Sequence, residues 1–415
     1  MRFTADFHLH SKYSRATSPR SDLENLDKWA RIKGIKVLGT GDFTHPEWFK
    51  SLKEKLEPAE PGLFKLRAGG ANTRFLLTSE ISCIYSKKGR VRKIHIVVFA
   101  PSLKVVEKIN ARLSLIGNLK ADGRPILGLD AKELLKIVLD VSQDCLVVPA
   151  HIWTPWFSLF GSRSGFDSIE ECFEDYSKHI FTGETGLSSD PAMNWRLSAL
   201  DKVSLISNSD AHSPEKIGRE ANVFDVEFSY PAIIEAIKSK NPEKFLYTIE
   251  FFPQEGKYHY DGHRDCKISL SPSQTKKYNG ICPVCGKSLT VGVLSRVEEL
   301  ADRPEGFKPE GAIPYKSLIP LGEIIAEALG VGVNTKEVKK QYENLIKGFG
   351  SEFEVLLNVS QQELQNITLP EIAEGIVRVR QGKVFIEPGY DGVYGKVRIF
   401  SKGEQRELSK QRTLF

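Results

Sequence analysis

Two pairs of residues could do chemistry in this chain. His8-x-His10 follows a short apolar run, and Asp210-x-His212 follows the run Val203 to Ile206. On a β-strand alternate side chains share a face, so each pair can present both members to one ion. Between them, Asp42 lies in the loop after a buried strand and Glu80 near the end of Arg74 to Ile81. His95 lies inside Lys93 to Ala100, and His151 ends Leu146 to His151. A single histidine in an apolar strand is usually a hydrogen-bonded core residue, and a single strand-end carboxylate is usually a cap. Eight such residues on successive strands are better explained as a site. Imidazole with carboxylate suits Zn, Mn or Fe, and Glu80 could bridge two ions. Two divalent ions acidify water and neutralise a phosphoryl group, which points to phosphoester hydrolysis without separating monoesters from diesters.

The elements that must position these residues alternate. Asp22 to Gly34 has apolar residues at helical spacing, with Gly34 as a stop. Ile35 to Gly39, Arg74 to Ile81, Lys93 to Ala100, Leu146 to His151, Phe181 to Glu184 and Val203 to Asp210 read as strands, and Ala131 to Val141 as a helix. This is an α/β pattern. Ligands gathered at the ends of its first and last strands suggest a closed or nearly closed barrel with the site at its carboxyl edge.

At 415 residues the chain predicts two or three domains. It has 40% hydrophobic and 27% charged residues, the composition of an ordinary soluble protein. No apolar run approaches the ~18 residues that span a bilayer, and the N-terminus carries no secretory pattern, so an intracellular location is expected. The net charge of +5 is compatible with a polyanionic partner. Six cysteines, two of them in a Cys-x-x-Cys, suggest a reducing compartment in which cysteine binds metal. Two methionines among abundant Lys and Glu point to a thermophile.

His263-x-x-Cys266 followed by Cys282-x-x-Cys285-Gly286 predicts a structural zinc site, with His259 as a rival fourth ligand. Farther on, 313–347, Phe349 to Ile367 and Pro370 to Lys383 read as helical, and Lys396 to Phe400 as a strand. Tyr390 and Tyr394, flanked by glycines, are equally readable as base-stacking residues or as rims of two turns. Lys87, Lys88, Arg90, Arg92 and Lys93 form a basic hairpin around Gly89 beside the His95 strand, a candidate for holding a nucleic-acid backbone. Arg378, Arg380 and Lys383 form a looser basic group.

The ordered set His8-x-His10, Thr40-Gly-Asp42, Glu80, His95, His151 and Asp210-x-His212 resembles the PHP (polymerase and histidinol phosphatase) phosphoesterases over roughly residues 1 to 230. The resemblance implies a distorted (βα)7 barrel holding two or three ions, with those eight residues as ligands. Where that family has Thr-Asp-His, this chain has Gly41-Asp42-Phe43, so Asp42 or His45 takes the histidine's place. Arg15 lies where an Asp is usual. Glu184 and Asp190 are further carboxylates, either of which could orient the attacking water or act as acid; Asp190, before Pro191, is equally placed as a helix cap. Gln411 to Phe415 resembles the start of a sliding-clamp (PCNA) binding peptide.

With the zinc module and Gly389-Tyr-Asp-Gly-Val-Tyr-Gly395 added, nearly the whole chain resembles the endonuclease Q family. That resemblance implies an enzyme that cuts DNA 5′ of deaminated bases (uracil, hypoxanthine, xanthine) and abasic sites; the expected source is a thermophilic archaeon. Its active-site ions would be Zn²⁺, Mg²⁺ or Mn²⁺, with a separate structural Zn²⁺. The expected domains are a PHP domain at 1–240, a zinc module at 250–303, a helical domain at 304–400 and a clamp-binding tail at 401–415. The damaged base must leave the stack to be read, and Trp153, Trp156 or Phe157 is expected to line its pocket. The competing readings are a histidinol-phosphate type phosphatase, which leaves the zinc module and basic hairpin without purpose, and a non-catalytic DNA-binding protein, which need not keep eight ligands.

Overall fold

Asp22 accepts the Asn25 N–H at 2.9 Å and Gly34, at φ 88°, ends the helix Leu23–Lys33. The chain then passes directly into the strand Ile35–Gly39. A β-carbon is costly in that left-handed conformation, so glycine makes the tight helix-to-strand turn. The computed structural model, which describes residues 1–68, 73–401 and 403–404, repeats this logic around a barrel. Arg2–Asp6 pairs in parallel with Ile35–Gly39, which pairs in parallel with Arg74–Lys87. Arg90–Ala100 then runs antiparallel between Arg74–Lys87 and Leu146–Pro149, and this inserted hairpin distorts the barrel. Thr182–Glu184 and Ser204–Ile206 are parallel neighbours.

Two junctions close the ring. The Ile152 N–H donates to the Glu184 carbonyl at 3.0 Å, and the His10 N–H donates to the Ala211 carbonyl at 2.9 Å, where Leu9 and Ala211 form a parallel bridge. Ala5, Val37, Leu76, Val97, Val148 and Ile206, from six of the barrel strands, meet in one buried cluster with Tyr230, Ile233 and Ile237 of the helix Tyr230–Ser239. Outside the ring, Ala221–Asp225, Phe245–Glu250 and Tyr315–Ser317 extend the sheet from the first strand.

The C-terminal region departs from expectation in detail. The segment 313–347 is not one helical stretch. Pro314 and Pro320 bracket the strand Tyr315–Ser317, and Gly330, at φ 63°, separates the helices Leu321–Leu329 and Lys336–Phe349. The stretch Phe349 to Ile367 holds two short helices, Glu352–Leu357 and Gln361–Gln365, and Pro370–Arg380 follows. The helical region docks on the barrel through a buried ion pair, Lys33 Nζ to Glu352 Oε2 at 2.7 Å. Arg378 and Arg380 are structural: Arg378 pairs with Glu374 and Glu404, and Arg380 donates to the carbonyls of Val355, Leu356 and Val359. The clamp-like peptide Gln411 to Phe415 lies outside the described residues. Among the described residues, no helix is long and apolar enough to cross a membrane.

Candidate metal centre and active site

The ligand-bearing strand ends converge on Glu80, buried at the bottom of the cluster. One carboxylate oxygen, Oε2, lies 3.6 Å from His8 Nε2 and 3.3 Å from His10 Nε2. Asp210 Oδ1 completes that group at 3.7 Å from His8 Nε2 and 3.1 Å from His10 Nε2. The other oxygen, Oε1, lies 2.6 Å from His95 Nδ1 and 3.2 Å from His151 Nε2. Two sets of candidate ligand atoms, each within 4.8 Å of one another, therefore share one carboxylate.

The tautomers show what these sets are built to hold. The remote nitrogen of His8 faces both oxygens of Glu184 at 3.0 Å, and that of His10 faces Asp42 Oδ1 at 3.0 Å. A carboxylate only accepts, so each Nδ1 carries the proton and each Nε2 presents its lone pair to the centre. Lone pairs then confront carboxylate oxygens, an arrangement that a cation resolves. His8 Nε2 is buried without a hydrogen-bond partner. Burial alone would lower the basicity of His8, but Glu184 and Glu80 outweigh it and carry the pKa well above the usual range, so that without an ion the ring takes a second proton at Nε2, the position a cation would fill. Burial likewise opposes ionisation of Asp210, yet His10 and His8 hold its carboxyl far below its usual value. Burial pushes His95 down to about 4, which keeps its ring neutral and ligand-competent. The donor set fits two divalent ions. Asp42, His151 and Asp210 have φ of 48°, 31° and 47°, left-handed values that cost free energy in non-glycine residues and cluster at functional sites.

Several expected residues stand elsewhere. Asp42 is not in either ligand set: its Oδ2 accepts Ser11 N–H, Ser11 Oγ–H and Ser14 Oγ–H at 2.7, 2.7 and 2.9 Å, so it orients His10 and the first loop. Gly123 lets this carboxylate in, since a β-carbon there would lie 2.3 Å from Asp42 Oδ2. Glu184 orients His8 and also accepts the His151 N–H and the Asn208 amide. Asp190 is a helix cap, accepting the Met193 N–H at 2.9 Å. His212 is outside the two sets; it packs on His10 at 4.5 Å, and its Nδ1–H donates to the Asp210 carbonyl at 2.9 Å, leaving Nε2 with the lone pair. His45 stacks on Tyr13 at 4.4 Å instead of joining the centre.

A cavity of about 450 Å³ opens above the cluster, lined by His95, His151, Asp210, Arg124, Trp156 and Phe157. Trp156 is 41% exposed at its mouth. Trp153 is core: it is 1% exposed, packs on Phe160 and donates to Asn194 Oδ1 at 2.7 Å. Sequence reasoning missed Arg124, whose guanidinium donates to Glu80 Oε2 at 3.1 Å. It sits in the loop between the helix Leu103–Leu113 and the strand Ile126–Leu127, where spacing carries no signal, and is held by Asp122 accepting its backbone N–H at 3.1 Å.

The basic hairpin forms, turning at Lys88 and Gly89, but its charges divide. Lys87 is committed to Glu174 and Asp130, and Arg92 is buried against Phe166 with Gly165 and Glu171 as partners. Lys93 lies over the Phe157 ring at 5.2 Å. Lys88 and Arg90 remain exposed at the tip. His263, Cys266, Cys282 and Cys285 converge within 4.8 Å. His259 is not among them; it is buried and stacked on Tyr260. This module's own core is only Leu270, Cys282 and Leu289 with Cys266 and Ile268 against it, so zinc at the four ligands would supply much of its stability. Tyr390 packs against Gly262 of the module, whereas Tyr394 is 69% exposed.

A distorted seven-stranded barrel with a shared-carboxylate histidine cluster at its strand ends defines a PHP-type metal-dependent phosphoesterase. Residues 320–383 match the family model of the MJ0043 C-terminal domain. The chain is 32% identical to the crystal structure of the lesion-specific endonuclease PfuEndoQ from Pyrococcus furiosus, with a TM-score of 0.86 over 96% of this chain and 95% of that one. It is also 32% identical, at a TM-score of 0.84 and over 97% and 98% of the two chains, to endonuclease Q in complex with a 27-mer duplex carrying an abasic lesion at the active site. The protein belongs to the endonuclease Q family. Among sequence relatives, it is 32% identical to Bacillus subtilis YqxK over 88% of this chain and 89% of that protein. It is 41% identical to MJ0043 of Methanocaldococcus jannaschii over 60% of this chain, a match that spans 31% of that longer protein.

Proposed function

We propose that this chain is a metal-dependent DNA repair endonuclease that cuts the phosphodiester 5′ of deaminated bases and abasic sites. The observation that carries the reading is the Glu80-centred double ligand set under a cavity edged by a cation and aromatic rings. The solved relative with an abasic duplex supports it. His8, His10, Glu80 and Asp210 would hold one ion, and Glu80, His95 and His151 the other. Bound there, the ions would supply an acidified water and charge neutralisation at the phosphoryl group.

The chain's own residues then have separable tasks. Glu184 and Asp42 fix the imidazole tautomers. Arg124 stands where it can pair with a non-bridging phosphate oxygen. Phe157 backs His95 at 4.7 Å, and with Trp156 it offers apolar surface to an extruded nucleotide. Lys88 and Arg90 at the hairpin tip are suited to backbone phosphates. Zinc at the four-ligand module would anchor residues that Arg296 ties to the barrel through the carbonyls of Phe160 and Phe166. A docking role for Gln411 to Phe415 on a sliding clamp is part of the same reading.

The test is cleavage of end-labelled duplexes, undamaged or carrying one deoxyuridine, deoxyinosine or abasic site, with Mg²⁺, Mn²⁺ or Zn²⁺ and an Asp210→Ala control. A single cut 5′ of the lesion, absent in the control, is expected. Turnover of small phosphomonoesters without any DNA cutting would refute the reading.

A further inference from the structure

A second feature beside the cavity is built from three separate parts of the chain. Trp156, at the cavity mouth, meets Tyr258 edge-on, with ring centroids 5.7 Å apart. Lys257 Nζ lies 5.5 Å from the Tyr258 ring and 5.8 Å from the Tyr394 ring. At the other end the Arg163 guanidinium lies 6.0 Å from Trp156. Three rings and two cations thus run from the cavity mouth across residues 257–258 to the Gly-rich hairpin. Trp156 and Tyr394 are 41% and 69% exposed, and Lys257 and Arg163 are exposed as well. Among the described residues, neither Arg163 nor Lys257 makes an ion pair with a carboxylate.

The track is held in place. The hairpin carrying Tyr394 is fastened to 254–260 by four backbone bonds: Gly389 N–H to Gln254 O, Tyr260 N–H to Gly389 O, Gly392 N–H to Lys257 O and Gly395 N–H to Glu255 O, at 2.8–3.0 Å. The closeness of Gly389 and Gly395 explains their type, since a β-carbon at Gly395 would lie 2.1 Å from Gln254 O. Exposed large rings cost solvation and are not needed for this fold. Interleaved with unpaired cations, they have the composition of a surface that stacks unpaired bases while attracting their phosphates. An apolar protein partner would leave the cations without purpose, and intact duplex would offer the rings no faces to stack on.

We infer that Trp156, Tyr258 and Tyr394 form a stacking track for bases of the DNA strand unpaired next to the lesion, with Arg163 and Lys257 holding its phosphates. The inference rests on the endonuclease reading and adds to it a second, non-catalytic DNA contact. It is tested by kcat/KM on a deoxyuridine or abasic duplex for wild type, Tyr394→Ala, Tyr258→Ala and Tyr394→Phe, with bis(p-nitrophenyl) phosphate hydrolysis measured in parallel. Each alanine is expected to cost about tenfold on DNA, mainly through KM, with the small diester unaffected and Tyr394→Phe near wild type. Full DNA cleavage by both alanine variants would overturn the track and leave the endonuclease reading standing. Wild type that hydrolyses the small diester but cuts no DNA would overturn both. Small-diester turnover also shows that the variants are folded.

Discussion

Replacing Asp42 by Asn separates a residue that binds an ion from one that aims a ligand. Its Oδ1 faces His10 Nδ1 at 3.0 Å, and its Oδ2 accepts three donors, including the Ser11 backbone N–H at 2.7 Å. Asparagine has one acceptor oxygen and one donor NH₂ in the same volume. With the NH₂ toward Ser11, it opposes a backbone N–H that cannot turn away. With the NH₂ toward His10, it forces the ring proton onto Nε2 and removes the lone pair from the centre. A buried unsatisfied donor costs about 1–3 kcal/mol. Loss of a partner that orients a ligand costs roughly 10–100-fold in metal affinity, or about 1.4–2.8 kcal/mol. Metal-stripped Asp42→Asn should therefore bind the same number of Mn²⁺ or Zn²⁺ ions as wild type, with the barrel affinity lowered 10–100-fold. Titration calorimetry with elemental analysis reads both quantities. Loss of one whole equivalent would make Asp42 a ligand, and unchanged affinity would mean that His10 does not depend on it; either result refutes the argument.

Two further outcomes follow from groups away from the centre. Burial opposes ionisation of Glu352, but Lys33 outweighs it, together with Tyr342 Oη–H and the Leu321 N–H, and holds the carboxyl below its usual value. A depressed acid contributes stability above its unfolded pKa, about 4.3, and loses it as pH falls further. Glu352→Ala should cost about 3–5 kcal/mol by leaving Lys33 buried and unpaired. Urea unfolding at pH 7 and pH 3.5 should show that gap narrowing in acid, and a gap independent of pH would count against the ion pair. Cys285→Ser should remove one zinc equivalent and expose 261–290 to protease while the barrel keeps its ions; intact zinc content with protection would mean that the four residues are not a metal site.

The periodicity of the chain carried much of the barrel. Leu23–Lys33, Ile35–Gly39 and Ala131–Val141 fall where apolar spacing and their flanking caps place them, because these signals are local. The 315–317 strand escaped notice because a three-residue strand between prolines has no period to read; it exists only because Phe245–Glu250 offers an edge.

For the site, residue type and strand-end position nominated His8, His10, Glu80, His95, His151 and Asp210 together with Asp42 and His212. The nomination could not sort residues that face the centre from residues that face another ligand. Asp42 and Glu184 are carboxylates like Glu80 and Asp210; only the three-dimensional arrangement assigns the first two to imidazole Nδ1 atoms and the last two to the centre. Charge runs misled for the same reason, since Lys87 and Arg92 find carboxylates and an aromatic face that lie tens of residues away. The sequence by itself therefore determined which chemical groups the barrel could bring to its rim. Tertiary structure alone decided their roles, because a carboxylate's task is set by the proton or charge it faces, and that neighbour comes from another strand.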